Sequence, residues 1–444
     1  MFLNKKECSD NCSRVEMALK TAKKLGASEA EVALAVDSGL SVSVRNAEIE
    51  TLEYNQDKGF AVTVYLDKCM GSANTSDFSD KAIRQAVKTA VDIARFTAKD
   101  TFSGVADENH LAWDYPDLSL HSGWNIDADG ALEMALKCEA AALKTDKRIV
   151  NSEGAGVSSH ESFQVYGNSH GLIASYPSSQ YSLSCAVIGQ DKAGMQRDHW
   201  STIARDASFL ESPSQVGKKA AKRTLARLNA QKLSTKKLPV MFSTDVSAGL
   251  MSHFISAISG SSLYRKSSFL LDSLERQIFP DWMRILEQPL LVGGLGSRPF
   301  DSEGVKTHSK VIIDDGVLQS YLLDCYSARK LGMETTGNSG GIHNLIVEPG
   351  QYNFKAMLKL MDKGLLVTEL MGQGVNIITG DYSRGAAGFW VENGKIQYPV
   401  EEITIAGNLK EMFSGLVAVG NDVDYRRNIR TGSILVEEMM VSGN

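Results

Sequence analysis

The sequence predicts an α+β protein in two domains, a helix-on-sheet domain over residues 1–235 followed by a mostly β domain over 236–444. Three observations carry this. As far as Asn229, segments of helical period with alanine on their apolar side alternate with strand-like segments. From Gly293 onward the pattern is strand and turn, with a glycine every few residues. Between the halves, 230–238 is polar and charged and runs into Pro239, which cannot extend a helix.

Val15, Ala18, Leu19, Ala22 and Leu25 mark the first helix, with Ser13 as expected N-cap and Gly26 as stop. Segment 30–36 reads as a buried strand, 40–44 and 49–54 as a hairpin turning at Asn46, and 59–66 as a further strand. Helices follow over 79–97, with Ile83, Ala86, Val87 and Ala90 on one face, and over 128–145, with Leu132, Ala135, Leu136 and Ala142 inward. The region 149–188 is expected to form a meander of short strands broken at Gly154, Gly156, Gly167 and Gly171, and 213–229 a fourth helix. In the second half, 239–243 reads as a strand, 248–259 as a short apolar helix, and one helix over 354–363 interrupts the strands.

Composition narrows the function classes. Hydrophobic residues are 43% and charged residues 23%, enough apolar material for a sizeable core, which excludes a disordered chain. The net charge of −6 argues against a dedicated nucleic-acid binder, whose phosphate contacts need a basic surface. The local exception is 218–237, with eight Lys and Arg and no acid, read as a solvated helix face and linker. The six cysteines are too scattered for a four-ligand zinc site and are expected as reduced thiols. The N-terminus, with Lys5, Lys6, Glu7 and Asp10, is unlike a signal peptide, and no stretch approaches the ~20 apolar residues of a membrane span. A cytoplasmic protein is expected.

Familiar catalytic patterns are absent. The His-Glu pair His160-Glu161 has no histidine one turn on and lies in strand-like sequence. Gly372-Gln373-Gly374 begins a dinucleotide-like run, but Ile377 stands at the third glycine, and Gly337-Asn338-Ser339-Gly340-Gly341 misses the hydrolase-elbow spacing by one residue. Two polar clusters remain. Tyr326 and Arg329 belong to one, and Asp381, Tyr382 and Arg384 to the other. A planar guanidinium binds carboxylates bidentately, so Arg384 is either a ligand clamp or half of an Asp–Arg pair holding a tight turn.

Five segments then resemble the TldD/PmbA family, also called the modulator-of-gyrase family: GSSLYRKSSFLLD at 260–272, PFDSEGV at 299–305, YSARKLG at 326–332, TELMGQGVNIITGDYSRGAAGFW at 368–390 and YPVEEITIAGNLK at 398–410. They cover most of 240–444 in the family's order. The resemblance is to the PmbA branch (also TldE). TldD-type chains carry His-Glu-x-x-x-His before the Arg-Lys-Ser segment and a cysteine near the C-terminus, which together hold a metal. In register with Arg265-Lys266-Ser267, Ala248 and Gly249 stand at the His-Glu positions and His253 at the second His, while 428–432 occupies the region of the Cys ligand and no Cys follows Cys325.

The resemblance implies a non-catalytic subunit of a cytoplasmic TldD–PmbA metalloprotease acting on small or unfolded peptides. It further implies no cofactor in this chain, a divalent metal (zinc) in the TldD-type partner, unfolded peptide substrates, and no direct contact with nucleic acid or membrane. Tyr326, Arg329, Asp381, Tyr382 and Arg384 are the candidate substrate contacts by local chemistry. Two alternatives stay open. One is a metallopeptidase active by itself, using His253 with a carboxylate such as Asp245 or Asp272; the other is a stand-alone peptide-binding homodimer.

Overall fold

The computed structural model describes residues 4–443. Helix α1 (Lys5–Lys24) starts earlier than its apolar period, because Asn4 and not Ser13 is the cap. Asn4 accepts from the backbone N–H groups of Lys6 and Glu7, and Glu7 accepts from the Asn4 N–H at 2.8 Å, so the first free donors are satisfied reciprocally. Ser13 lies inside the helix and donates to the Ser9 carbonyl.

Strands β1 (Glu29–Arg45) and β2 (Glu48–Leu66) turn at Asn46 and Ala47, both with positive φ, and β3 (Cys69–Thr75) adds to β2. The hairpin is where the sequence predicts it, but the separate segments around it merge into two long strands. Ser79 caps α2 (Asp80–Ala94), and Asp127 caps α3 (Ala128–Leu143). The expected meander of short strands is instead two strands of 20 and 18 residues, β4 (Ile149–Asn168) and β5 (Ile173–Gln190). Gly154 sits at a bulge and Gly167 stays in the ladder, leaving room for Val15 of α1; neither is a turn. Strand β6 (Met195–Ala204) and helix α4 (Pro213–Ala226) complete the unit.

The six strands run antiparallel in the order β3-β2-β1-β4-β5-β6. At ~3.4 Å per residue the long strands span about 60 Å, enough for two helix pairs side by side on one face. Helices α1 and α2 cover Val32, Leu34, Val36, Phe60 and Val62, while α3 and α4 cover Val42, Val44, Val157, Leu183 and Val187.

The second unit contains β7 (Lys236–Phe242), α5 (Thr244–Ala257), α6 (Gly260–Tyr264), β8 (Ile285–Glu287), β9 (Lys310–Asp314), β10 (Val317–Leu318), α7 (Cys325–Leu331), β11 (Leu345–Val347), α8 (Phe354–Met361), β12 (Gly364–Met371), β13 (Asp381–Glu392), β14 (Lys395–Asn408), α9 (Leu409–Ser414), β15 (Leu416–Val419), β16 (Ile429–Arg430) and β17 (Ile434–Gly443). Helices α7 and α9 have seven and six residues, too few for a period to register in the sequence. Its main sheet has the order β14-β13-β12-β7-β17-β15, and a further β14–β17 pairing closes it on itself. Leu250, Met251 and Phe254 of α5 share one core with Val240, Phe242, Phe413, Val436 and Val441.

The helix-free face of the first sheet meets the second unit. Tyr166 and Ala174 pack with Leu111, Phe300 and Val305, and the Ala112 N–H donates to the Gly304 carbonyl at 2.9 Å. The basic stretch 218–237 contributes here rather than facing water alone. Arg223 bonds Asp245 of α5 at 2.9 Å and Arg227 pairs with Glu369 of β12, whereas the exposed Lys237–Glu438 pair at 3.0 Å lies within the second unit. Among the described residues no helix is long and apolar enough to cross a membrane.

Candidate functional site

The start of α5, the glycine turns before β11 and the segment leading into β16 enclose a cleft of about 600 Å³ against the end of β6. Ala248, Gly249 and Ser252 of α5 form one wall, Gly340 and Gly341 a second, and Arg426, Arg427 and Asn428 a third. Gly340 and Gly341 have φ of 90° and 103°, a region favouring glycine, and a Cβ on Gly341 would meet open space. Main chain is therefore bare at Gly341, while Ser302 and Arg298 lie against Gly340.

Ala248 and Gly249, which the family resemblance aligns with the His-Glu of TldD-type chains, line this cleft, while His253 does not, and the donor set can be tested there. Ala248 and Gly249 supply no donor atom, and a Cβ on Gly249 would meet nothing within 4 Å. Asn428 stands in the region of the family's cysteine, and the last cysteine, Cys325, is buried on α7. Among the described residues no three His, Cys, Asp or Glu side chains group so as to hold a metal. The residues present do not fit a catalytic zinc, which takes three protein ligands and an open position. Asp245, a co-ligand in the self-sufficient alternative, is engaged by Arg223 at 2.9 Å and Arg426 at 3.7 Å. It also sits eight residues from His253 on the same helix, ~12 Å along the axis.

His253 instead faces β13. Its ring lies edge-on to Tyr382 at 5.8 Å between centroids, and Tyr382 is edge-on to Phe242 at 6.5 Å. Burial lowers the His253 pKa, and the nearby Arg384 charge lowers it further. Burial pushes the Tyr382 hydroxyl up to about 12, against the pull of Arg384. His253 Nε2, Tyr382 Oη and Arg384 Nε are all buried without a hydrogen-bond partner. The fold thus gathers Tyr382, Arg384 and His253 in one place. Asp381 lies apart at the strand end, accepting from Thr379 and from Asn408 at 3.3 Å, and no ion pair joins it to Arg384.

Tyr326 and Arg329 lie on α7, away from that group. Tyr326 donates to Asp100 at 2.7 Å. Arg329 donates to the carbonyls of Phe102, Gly104 and Val105 and pairs with Asp107 at 3.2 Å. Both donor sets are taken up in tying α7 to the segment after α2.

The cleft's polar residues, Arg298, Arg426, Arg427 and His343, were not singled out by motif. The adjacent pair Arg426-Arg427 was the available signal; Arg298 and His343 arrive from separate loops. His343 is held by Glu287, whose carboxylate also takes the Asn338 amide and the Lys310 ammonium at 2.8 and 2.7 Å.

The fold and the cleft define an α+β protein of two units with a closed C-terminal sheet, and the comparisons give its family. The PmbA/TldA metallopeptidase models match as domain 1 over 30–94, the central domain over 121–228 and the C-terminal domain over 235–443. A Metalloprotease PmbA homolog of Haemophilus influenzae is 53% identical over 431 residues, covering 97% of this chain and 95% of that one. The Metalloprotease PmbA of Escherichia coli O157:H7 is 52% identical, with 97% and 96% covered. A crystal structure from Bacteroides thetaiotaomicron, described as a modulator of DNA gyrase, superposes with a TM-score of 0.93 at 32% identity, over 98% of this chain and 99% of that one. A more distant relative is a Metalloprotease TldD homolog of Buchnera aphidicola (subsp. Schizaphis graminum), 22% identical over 86% of this chain and 83% of that one. The chain belongs to the PmbA/TldD metallopeptidase family.

Proposed function

We propose that this chain is the PmbA-type, metal-free subunit of a cytoplasmic two-subunit metallopeptidase that degrades or matures small unfolded peptides. A TldD-type partner supplies the metal and the general base. This chain receives the peptide and completes the chamber. The observation that carries the reading is the donor set at the cleft: Ala248 and Gly249 stand where the resemblance puts the family's His-Glu, and the segment 428–432, in the region of its Cys ligand, contains no cysteine. Family membership together with a TldD-type relative supports the division of labour.

An extended peptide can bind such a surface through main-chain hydrogen bonds with little regard to sequence. The bare backbone at Gly341 suits that mode. Arg384 and Tyr382, with unpartnered polar atoms beside α5, are kept as substrate contacts in this proposal, with Asp381 at their margin. Tyr326 and Arg329 are assigned to fastening the two units.

The test is a peptidase assay on an unfolded polypeptide with this chain alone, a TldD-type partner alone, and both, each sample also analysed for bound metal. Cleavage only in the mixture, with metal tracking the partner, is the expected outcome. Chelator-sensitive cleavage by this chain alone would overturn the proposal in favour of a self-sufficient peptidase. Failure to associate with the partner would favour a stand-alone homodimer.

A further inference from the structure

We propose that the interdomain cleft binds a carboxylate of an extended peptide, with Arg298 and Arg427 as its clamp. The proposal rests on the peptide-binding reading above and adds the chemistry that the cleft recognises. Three guanidinium groups line it and no Asp or Glu does.

These arginines are not equivalent. Arg426 is committed: it pairs bidentately with Asp424 at 2.9 Å twice, donates to the Ser201 carbonyl at 3.0 Å, and stacks over Trp200 at 3.9 Å. Arg427 is half-exposed and reaches a carboxylate, Asp424, only at 3.7 Å. Arg298 makes a single long contact, 3.5 Å to the Ser302 hydroxyl, and has no acid within ion-pair distance among the described residues. Its charge is reinforced by Arg205 nearby, whose guanidinium is spent on four backbone carbonyls, with no acid within ion-pair distance among the described residues. Burial and the like charge of Arg298 both loosen the Arg205 proton.

A cleft lined by one guanidinium without an acid partner and a second held only loosely by Asp424 repels a divalent cation and attracts an anion. Planar forks fit carboxylates in particular, through paired charge-assisted hydrogen bonds. The open space over Gly249, where the family's metal-binding chains carry a side chain, leaves room for the carboxylate, and the glycine wall lets the rest of the peptide lie against main chain. The position that holds a cation in one branch thereby becomes an anion site in this one.

The experiment measures binding of a dye-labelled ten-residue peptide free of Asp and Glu by fluorescence anisotropy, using the full chain. Three forms are compared: C-terminal acid, C-terminal amide, and the amide with one internal Glu. The acid is expected to bind about tenfold tighter than the amide, an advantage that shrinks as NaCl rises from about 50 to about 500 mM. A matching gain in the Glu peptide instead would assign the same site to a side-chain carboxylate. Arg298→Gln with Arg427→Gln should bring acid and amide binding together. Gly249→Glu, whose Cβ has free space, should do the same by placing a carboxylate inside the cleft, and it serves if the arginine variants fail to fold. Equal binding of all three peptides, no peptide binding at all, or a preference for the acid that survives both variants would overturn the proposal. Because no partner and no cleavage enter this measurement, its failure is separable from failure of the subunit reading, which rests on reconstituted activity and metal content.

Discussion

Glu287 is the residue on which the glycine wall of the cleft most depends. It is fully buried, yet it holds His343 Nδ1 at 2.8 Å, the His343 N–H at 2.9 Å and the Lys310 ammonium at 2.7 Å. Burial pushes its carboxyl up, but the hydrogen bond from His343 and the charge of Lys310 overcome that and hold it at about 2. A carboxyl depressed below its ordinary 4.5 adds stability that is complete above that value and is lost as pH falls through about 2. Acid unfolding should therefore steepen between those pH values, and Glu287→Gln should flatten that limb. The same variant leaves Lys310 buried without its counter-charge and should cost about 3 to 5 kcal/mol in urea unfolding at pH 7. Pairing it with Lys310→Met should recover part of the loss. In sequence these are a lone Glu, a lone Lys and a lone His spread over 57 positions, and nothing local marks them as one group.

At the scale of elements, alanine on the buried side of α1, α2 and α3 predicted close packing, and the structure shows how close it becomes where α4 meets α3. A Cβ on Gly217 of α4 would run into the Cys138 carbonyl of α3 and lie 3.0 Å from the Ala142 nitrogen. Gly217→Val should force the helices apart and cost about 1 to 3 kcal/mol in thermal unfolding. Gly249→Ala in α5 is the contrasting case. Its Cβ is unopposed, so better helix propensity should stabilise by about 0.5 to 1 kcal/mol. The helices of 14 residues or more were legible because apolar period accumulates over several turns. Strand lengths were not. A glycine within a ladder and a glycine at a turn look alike in one dimension, and Gly167 is paired on both sides in the ladder with Val15 of α1 packed over it.

Over the whole molecule, the two units are joined by an apolar seam around Tyr166, Phe300 and Val305, by Arg205 on the carbonyls of Leu120, Ser179, Gly294 and Leu295, and by Arg329 on those of Phe102, Gly104 and Val105. Calorimetry should accordingly give one cooperative transition with equal calorimetric and van't Hoff enthalpies, and Arg205→Ala with Arg329→Ala should split it in two. The sequence by itself determined the fold class, the family and the absence of metal-donor side chains at 248 and 249, because these are properties of residue identity and of order along the chain. Periodicity and motif register need no third dimension. Only the tertiary structure decided that Tyr326 and Arg329 serve the seam, that Tyr382, Arg384 and His253 come together with buried unpartnered polar atoms, and that Arg298 and Arg427 line one cleft to which no Asp or Glu contributes. Those facts depend on which side chains meet, and charge and hydrogen bonding act over a few ångströms of space however many residues of chain lie between.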